Sequence, residues 1–449
     1  MQALEATQGA LDATSNNIAN ANTPGYTREV AQFSENEETV AGNQVSGGGV
    51  ALDGLQSIRD ELLNLQIQQQ TSLLNSADTQ SSLLQQIQAN FSSTGGGDIA
   101  SALAAFSTGI SQLSANPTSS AARQSVLSSG QDLAESFNTT AQALASTQSS
   151  ADGEVTQAVA QINTLSSQIS QLNGQLSQLT AAGNGGGTVQ DQRDELVQQL
   201  SALTGLSVTP TNDGETITTG SGTPLVMGSQ SFTLQTTVGN NGMQQVLDEN
   251  GTDITASFRG GTLGGAIQVR DQTIPGFLSQ LNSLASQFSG ALNSAQAQGF
   301  DASGNAGQNF FTVPTNMADA ASGISVSLTD PSLIAASSDG SAGSNGNVAN
   351  LSAALANSLP SGQTAAESYA NLVYQVGNSA SSAAAQSTAI GLNLQQLTNQ
   401  QGSVSAVDIN EEATNLLRFQ TAYEAAARIV STIQQLNTVT LNMGTTGGY

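Results

Sequence analysis

Apolar residues recur at steps of three and four over most of this chain. Val155, Ala158, Ile162, Leu165, Ile169, Leu172, Leu176 and Leu179 form an unbroken heptad, which places them on one face of a helix. The flanking positions are Ser, Gln, Asn and Gly, not the charges that select coiled-coil partners. The spacing therefore predicts packing within the chain rather than a self-contained zipper. A second long helix is predicted from Val407 to about Met443. Its apolar face reads Ile409, Ala413, Leu416, Phe419, Tyr423, Ala426, Val430, Ile433, Leu436 and Thr440, with no Gly or Pro before Gly444. It would span roughly 55 Å. Asp408, Glu411 and Glu412 occupy its first turn, where carboxylates favour the helix dipole. A helix this long, with a broad apolar face, needs a partner: another part of the chain or another copy of it.

The remaining pattern is largely helical too. Leu4, Leu11 and Ile18 recur at intervals of seven, with small residues between them, until Asn22-Thr23-Pro24-Gly25-Tyr26 makes a turn. Residues 27–54 read as extended chain or a small hairpin. A helix is expected from Leu55 until Gly95-Gly96-Gly97, another from Ile99 to Leu113, and a third carrying Val126, Leu133, Phe137 and Leu144. Thr188 and Asp191 have capping-box spacing for a helix ending at Gly205. Residues 206–270 change character: Thr, Val and Gly dominate, with short alternating pieces between Asn212-Asp213-Gly214, Asn240-Asn241-Gly242 and Glu249-Asn250-Gly251. These are turn signals, and the stretch reads as a β insertion. Helix resumes through Ile274 to Ala295. Residues 299–345 read as a polar loop, and a last inner helix from about Thr364 to Gln401 is separated from the terminal one by Gly402. The expected fold is mainly α, a long helical bundle or coiled-coil-like rod with a small inserted β domain.

Composition narrows the chemistry. The 449 residues contain no Cys, His, Trp or Lys, and all eight basic residues are Arg. Thiol and imidazole chemistry, Schiff bases and Walker-type phosphate binding are thereby excluded. The net charge of −25 argues against nucleic acid and against an anionic membrane surface. No apolar run reaches the length of a membrane-spanning helix, and no basic segment precedes an apolar one as in a cleaved signal peptide. Asp191-Gln192-Arg193-Asp194-Glu195 reads as an acidic helix start with Arg193 bonded to a neighbour, not as an acid–base pair. Gly260 to Gly265 lacks the Lys of a phosphate loop and reads as a tight return from the β insertion. Asp301 to Asn305 has too few carboxylates for calcium. No catalytic residue, cofactor or metal site is expected, and the chain does not read as an enzyme.

Ser15-Asn16-Asn17-Ile18-Ala19-Asn20-Ala21-Asn22-Thr23-Pro24-Gly25-Tyr26-Thr27-Arg28 resembles the N-terminal motif of the flagellar rod, hook and hook-associated proteins. Four further stretches resemble the hook–filament junction members of that superfamily. They are Asp191 to Leu196, Gly260 to Gly265 with Arg270-Asp271, Gly304 to Phe311, and Asp408 to Leu441. The resemblance implies an inner terminal-helix domain (1–30 and 405–449), a helical rod domain (31–205 and 266–404) and an outer β domain (206–265). It implies an extracellular, mechanical role in a ring of subunits at the hook–filament junction, reached by flagellar export without a cleaved signal. Implied partners are hook protein, the next hook-associated protein, further copies of the chain, and an export chaperone on the C-terminal helix. The implied assembly residues are Leu4, Leu11, Ile18, Asn22, Pro24, Gly25, Tyr26, Leu416, Phe419, Tyr423, Val430 and Ile433. Another axial rod or hook component is the alternative. The opening helix reads about two turns short of the family pattern, so either a missing upstream segment or a misassigned start is expected.

Overall fold

The computed structural model describes residues 2–23, 25–35, 39–41, 44–46, 49–91, 98–182, 186–211 and 214–445. The chain opens with helix α1 (Gln2–Asn20) and a β excursion: β1 (Glu29–Glu35), β2 (Thr39–Ala41), β3 (Gln44–Ser46) and β4 (Val50–Ser57). Strand β1 pairs antiparallel with β4, and β2 with β3, so the expected small hairpin forms. Leu55 lies in β4, and the helix expected from it begins at Glu61. Helix α2 (Glu61–Phe91) starts only where Asp60 accepts from the Leu63 amide.

Three helices follow: α3 (Ile99–Ala115), α4 (Ser120–Ala181) and α5 (Gly187–Leu203). The two helical stretches expected around Val126 and Val155 merge into the single α4, whose 62 residues span roughly 93 Å. Nothing breaks it, because Ser119 caps its start and its internal Gly residues cost only propensity. The capping box expected at Thr188 does not form. Gly186 precedes α5 without a side-chain cap, and Asp191 is bonded elsewhere.

The β insertion holds β5 (Leu206–Thr211), β6 (Gly214–Thr219), β7 (Pro224–Met227) and β8 (Gln230–Ser231) in one antiparallel sheet in that order. A separate hairpin pairs β9 (Gln235–Val238) with β10 (Gln244–Leu247). The heptad face of α4 is covered by this domain and α5, not by another long helix. Val155, Val159, Ile162 and Ile169 share one buried cluster with Val197, Leu200, Ile217, Val226, Leu234 and Val246.

Helix α6 (Gly261–Gln268) begins inside the glycine run and continues through a π-turn (Val269–Thr273) into α7 (Ile274–Ala297). Gly261 has φ +64°, and a Cβ there would lie 2.2 Å from the Leu203 carbonyl carbon. The run is therefore required for close helix contact as well as for a return.

Residues 299–345 are not a solvated loop. They carry β11 (Phe311–Thr312), the single turn α8 (Ala320–Gly323) and β12 (Ser325–Val326), and they bury Phe310, Phe311, Ile324 and Ile334 in the main core. Phe106, Phe288, Phe310 and Phe311 stack there at centroid separations of 4.9–6.4 Å. A short helix that the pattern did not suggest, α9 (Val348–Ala356), packs on α3 and α7. Helix α10 (Ala365–Ser405) carries a capping box at Thr364 and Glu367 and runs through Gly402, the expected break. It lies along α2 in an antiparallel pair, tied by Gln401 to Asn64 (2.6 Å) and Ser387 to Asp78. Helix α11 (Ile409–Thr445) ends the described chain. The glycine and turn expectations at residues 95–97, 183–185 and 212–213 lie outside the described residues.

One polar device joins the β domain to α4. Asn163 reads both polar groups of Leu234, donating to its carbonyl and accepting from its amide at 2.8 Å each. Asn173, fully buried, donates to the carbonyls of Glu215 and Gly228. Asp152 accepts from the Gln244 amide, while Arg270 donates to the Gln244 carbonyl. Replacing Asn163 by Ala strands two backbone groups beneath the sheet, at about 1–3 kcal/mol each. Urea unfolding of Asn163→Ala should show a loss of that order; a change below about 0.5 kcal/mol would contradict the assignment.

Candidate assembly surface

The buried stripe of α1 is made of small residues: Ala6, Ala10, Ala13, Thr14 and Asn17. Small side chains let α11 approach closely on one side. On the other, Leu52 of β4 fills the space above Gly9, where a Cβ would sit 2.4 Å from its methyl. Leu4, Leu11 and Ile18 are half-buried, about a third of a turn away from the seam. The heptad marked the helix but not its closest contact.

Asn17 is the hub. Its Nδ2 donates to the Glu29 carbonyl (2.8 Å) and to Glu412 Oε2 (3.2 Å). Its Oδ1 accepts from Tyr26 Oη and from the Glu29 amide, both at 2.9 Å. All four bonding positions of the amide are thus used, and they tie α1 to the turn, to β1 and to α11. Asn17 and Glu412 are almost fully buried. Because the end of α1 meets the start of α11, the two helices run antiparallel.

A second polar cluster joins this unit to the rod. The Thr27 amide donates to Asp191 (3.1 Å) and the Arg28 amide to the Ser405 carbonyl (3.0 Å). Arg28 also pairs with Glu411 at 2.8 Å. Arg59 donates to Asp191 (2.6 Å), to the Gly187 carbonyl (3.2 Å) and to Asp194. Arg193, buried, pairs with Asp194 (3.0 Å) and Glu215 (2.7 Å), so the acidic start of α5 is a structural network as its sequence suggested. Burial pushes the carboxyls of Asp191, Glu215 and Glu29 above the ordinary range, for Glu29 with help from the Asp191 charge. Burial, then the neighbouring Glu29, Asp191 and Glu412, pushes the Tyr26 phenol up to about 12.

The turn residues sit at the edge of this cluster. Asn22 is exposed, Tyr26 is half-buried, and Gly25 holds φ +77°, which a side chain would strain. Pro24 lies outside the described residues. On α11, Leu416, Phe419 and Val430 are half-buried, with Phe419 tilted onto Phe33 at 6.4 Å. Tyr423 is 37% exposed and Ile433 51%. The face predicted from periodicity is therefore covered near α1 and open farther along. Helix α1 spans roughly 28 Å and α11 roughly 55 Å, and every residue from Ser431 to Met443 is exposed.

Sequence reasoning missed Asn17, Arg59 and Glu412. The available signal was that Asn17 continues the Ala6-Ala10-Ala13 stripe by four, a polar residue in line with buried small ones. It missed a second α11 face as well. Ala422, Ala425, Ile429, Thr432 and Val439 recur at helical spacing on the side away from α1, together with Leu436, which the periodicity had assigned to the first face, and all are exposed. Such a surface can bind another helix. Among the described residues no group of carboxylates is placed to hold a metal ion, and no helix is long and apolar enough to cross a membrane.

Comparison with known proteins finds sequence relatives over the whole chain and a similar fold over most of it. Residues 84–311 match the flagellar hook-associated protein FlgK helical domain, residues 1–27 the flagella basal body rod protein family, and residues 400–443 the flagellar basal body rod FlgEFG protein C-terminal family. The chain is 30% identical to flagellar hook-associated protein 1 of Bacillus subtilis, over 100% of this chain and 97% of that protein. It is 28% identical to the Escherichia coli protein of the same name, over 99% and 98%. Its fold is similar to that of the flagellar hook junction protein FlgK from Burkholderia pseudomallei, with TM-score 0.68 and 20% identity over 76% of this chain and 100% of that one.

The raised carboxyls predict a pH dependence. Asp191, Glu215 and Glu29 bind protons more tightly folded than unfolded, so stability falls as pH rises through their folded values. Thermal melting should therefore rise as pH is lowered from neutral towards the ordinary carboxylate range. Tyr26 and Tyr369, both at about 12 against an ordinary 10, add a further loss between those values. Steady loss of stability on mild acidification would contradict this account.

Proposed function

This chain belongs to the flagellar hook-associated protein 1 family and is a structural component of the bacterial flagellum, and from that premise we propose that it forms the junction ring between hook and filament. Its partners there are further copies of the chain, the hook protein and the next hook-associated protein. It reaches the junction outside the cell through the flagellar export apparatus, and an export chaperone holds α11 beforehand. It carries no enzymatic activity on this reading: its polar clusters bond one element to another.

The observation that carries this reading is the two-faced α11. One face packs on α1 within the chain. The other, Ala422 to Val439, is apolar, helical in period and exposed, with Ile429 at 62% and Leu436 at 61%. A lone subunit gains nothing by exposing such a stripe, whereas a ring gives every copy a neighbour to cover it. The continuous α4 through Gln161 to Gln178 supports a junction protein over another rod or hook component. The division of labour we propose moves residues 31–57 from the expected rod to the terminal unit, because β1 and β4 pack on α1: a terminal unit of α1, the β1–β4 hairpin and α11; a rod of α2 to α10; and an outer β domain over 206–265.

Ile429→Asp and Leu436→Asp test this reading. Both sites are exposed, so melting of the free subunit should move by no more than about 0.5 kcal/mol in stability. Against a neighbour the buried, unpaired carboxylate costs several kcal/mol, so filaments should detach from hooks while the variant is secreted normally. Failed secretion would assign the face to the chaperone instead. Normal motility with both variants would refute the junction reading of α11.

A further inference from the structure

Eight arginines stand against a net charge of −25. Copies of this chain therefore repel one another, and each cation left free for a neighbour matters. Five are engaged inside the chain. Arg28, Arg59, Arg193 and Arg270 hold carboxylates, and Arg123 is buried against the backbone carbonyls of Pro117 and Ile334. The other three, Arg259, Arg418 and Arg428, are exposed and make no ion pair or side-chain hydrogen bond among the described residues.

Two of these three sit on the open side of α11. Arg418 continues the exposed stripe towards the helix start, four residues before Ala422 and seven before Ala425. Arg428 flanks the stripe beside Ile429. Between the cations the stripe shows only Ala422 and Ala425, small side chains that let a second helix lie close. Helix α1 carries the complement. Its only charged residues are Glu5 and Asp12. They stand seven apart, so they share one line, and both are exposed. They lie off the buried stripe that meets α11, and no ion pair joins them to an arginine of their own chain.

We propose that Asp12 and Glu5 of one copy pair with Arg418 and Arg428 of the next, and that these bridges set the level at which neighbouring terminal helices lie. The inference rests on the junction reading. A ring relates its copies by rotation about one axis, which keeps every α1 antiparallel to every α11 wherever the helices follow that axis. Rotation also preserves the level that Asn17 and Glu412 fix within one chain. At that level a neighbour's Asp12 comes beside Arg418, and its Glu5 lies about 6 Å along the axis from Arg428, a gap that the long arginine stem crosses. Arg428 stands between the stripe and Glu424 round the helix, so it meets the incoming acid first. Charges beside a helix seam select partner and register. The pairing belongs to the assembled ring and asks no order of the terminal helices in the free subunit.

The chain lacks cysteine, so a single thiol can be placed in each copy. Cells making an Asp12→Cys chain together with an Arg418→Cys chain supply mixed junctions. A short bismaleimide should link the two chains into a dimer that neither variant gives alone. Independently, Arg418→Glu with Arg428→Glu should be secreted at the wild-type level but lose filament attachment, because like charges then face each other. Adding Glu5→Arg and Asp12→Arg to that chain should restore attachment. A cross-link no stronger in mixed junctions than in the single variants would overturn the pairing. So would normal attachment by the reversed chain, or a fourfold swap that restores nothing. If the reversed chain fails at secretion, the cross-link alone decides. A wild-type chain absent from isolated hook–filament junctions would refute the junction reading and this pairing with it. A wild-type chain present there, beside a negative cross-link, would refute the pairing alone.

Discussion

Everything at the inner end of this molecule depends on one amide. The Asn17 side chain has two donors and two acceptor sites, and all are filled by groups from three separate segments. A buried amide that lost one partner would leave a desolvated polar group at about 1–3 kcal/mol, so the arrangement is close to all-or-none. It brings together residues nearly the whole chain apart, Asn17 and Glu412. The small stripe Ala6-Ala10-Ala13 then sets how closely the helices lie, and the excess length of α11 leaves its far half for other molecules.

The outer end is organised differently. Helix α4 offers Asp152, Asn163 and Asn173 at intervals of about three turns, and these grip the main chain of the β domain rather than its side chains. The apolar cluster beneath supplies the stability, and the polar grips supply the register. Arg270 completes the device from a π-turn, paired with Asp152 and Asp271 at 2.7 Å. Between the two ends the joint is held by ion pairs. The two ends therefore meet at a polar seat.

Much of this was legible beforehand. Helical periodicity located α3, α4, α7 and α10, because each buries one face in a continuous core; it located α11 by its apolar pattern alone, since that helix lies outside both clusters. Turn dipeptides at Asn240 to Gly242 and Glu249 to Gly251 marked the β domain correctly. The failures have physical causes. The 299–345 stretch looked like solvent-exposed loop because its Gly and Ser content hides the few residues, Phe310, Phe311 and Ile334, that anchor it in the core. The helix expected from Leu55 was pre-empted by pairing of β4 with β1, a long-range contact that no local pattern encodes. The knot was invisible for the same reason: polar residues earn burial only through partners distant in sequence. The second face of α11 was present in the pattern but masked by the stronger first one.

Hydrogen exchange along α11, compared between the free chain and the assembled junction, tests the central claim that this helix divides its faces between its own chain and its neighbours. Backbone amides exchange through local opening, so protection reports which turns are held in place. The account predicts two zones in the free chain: strong protection from Glu412 to Ala427, where α1 lies alongside, and weak protection from Ile429 onward. On assembly the second zone should gain protection and the first should change little. Uniform protection of the whole helix in the free chain, or no gain beyond Ile429 on assembly, would contradict it.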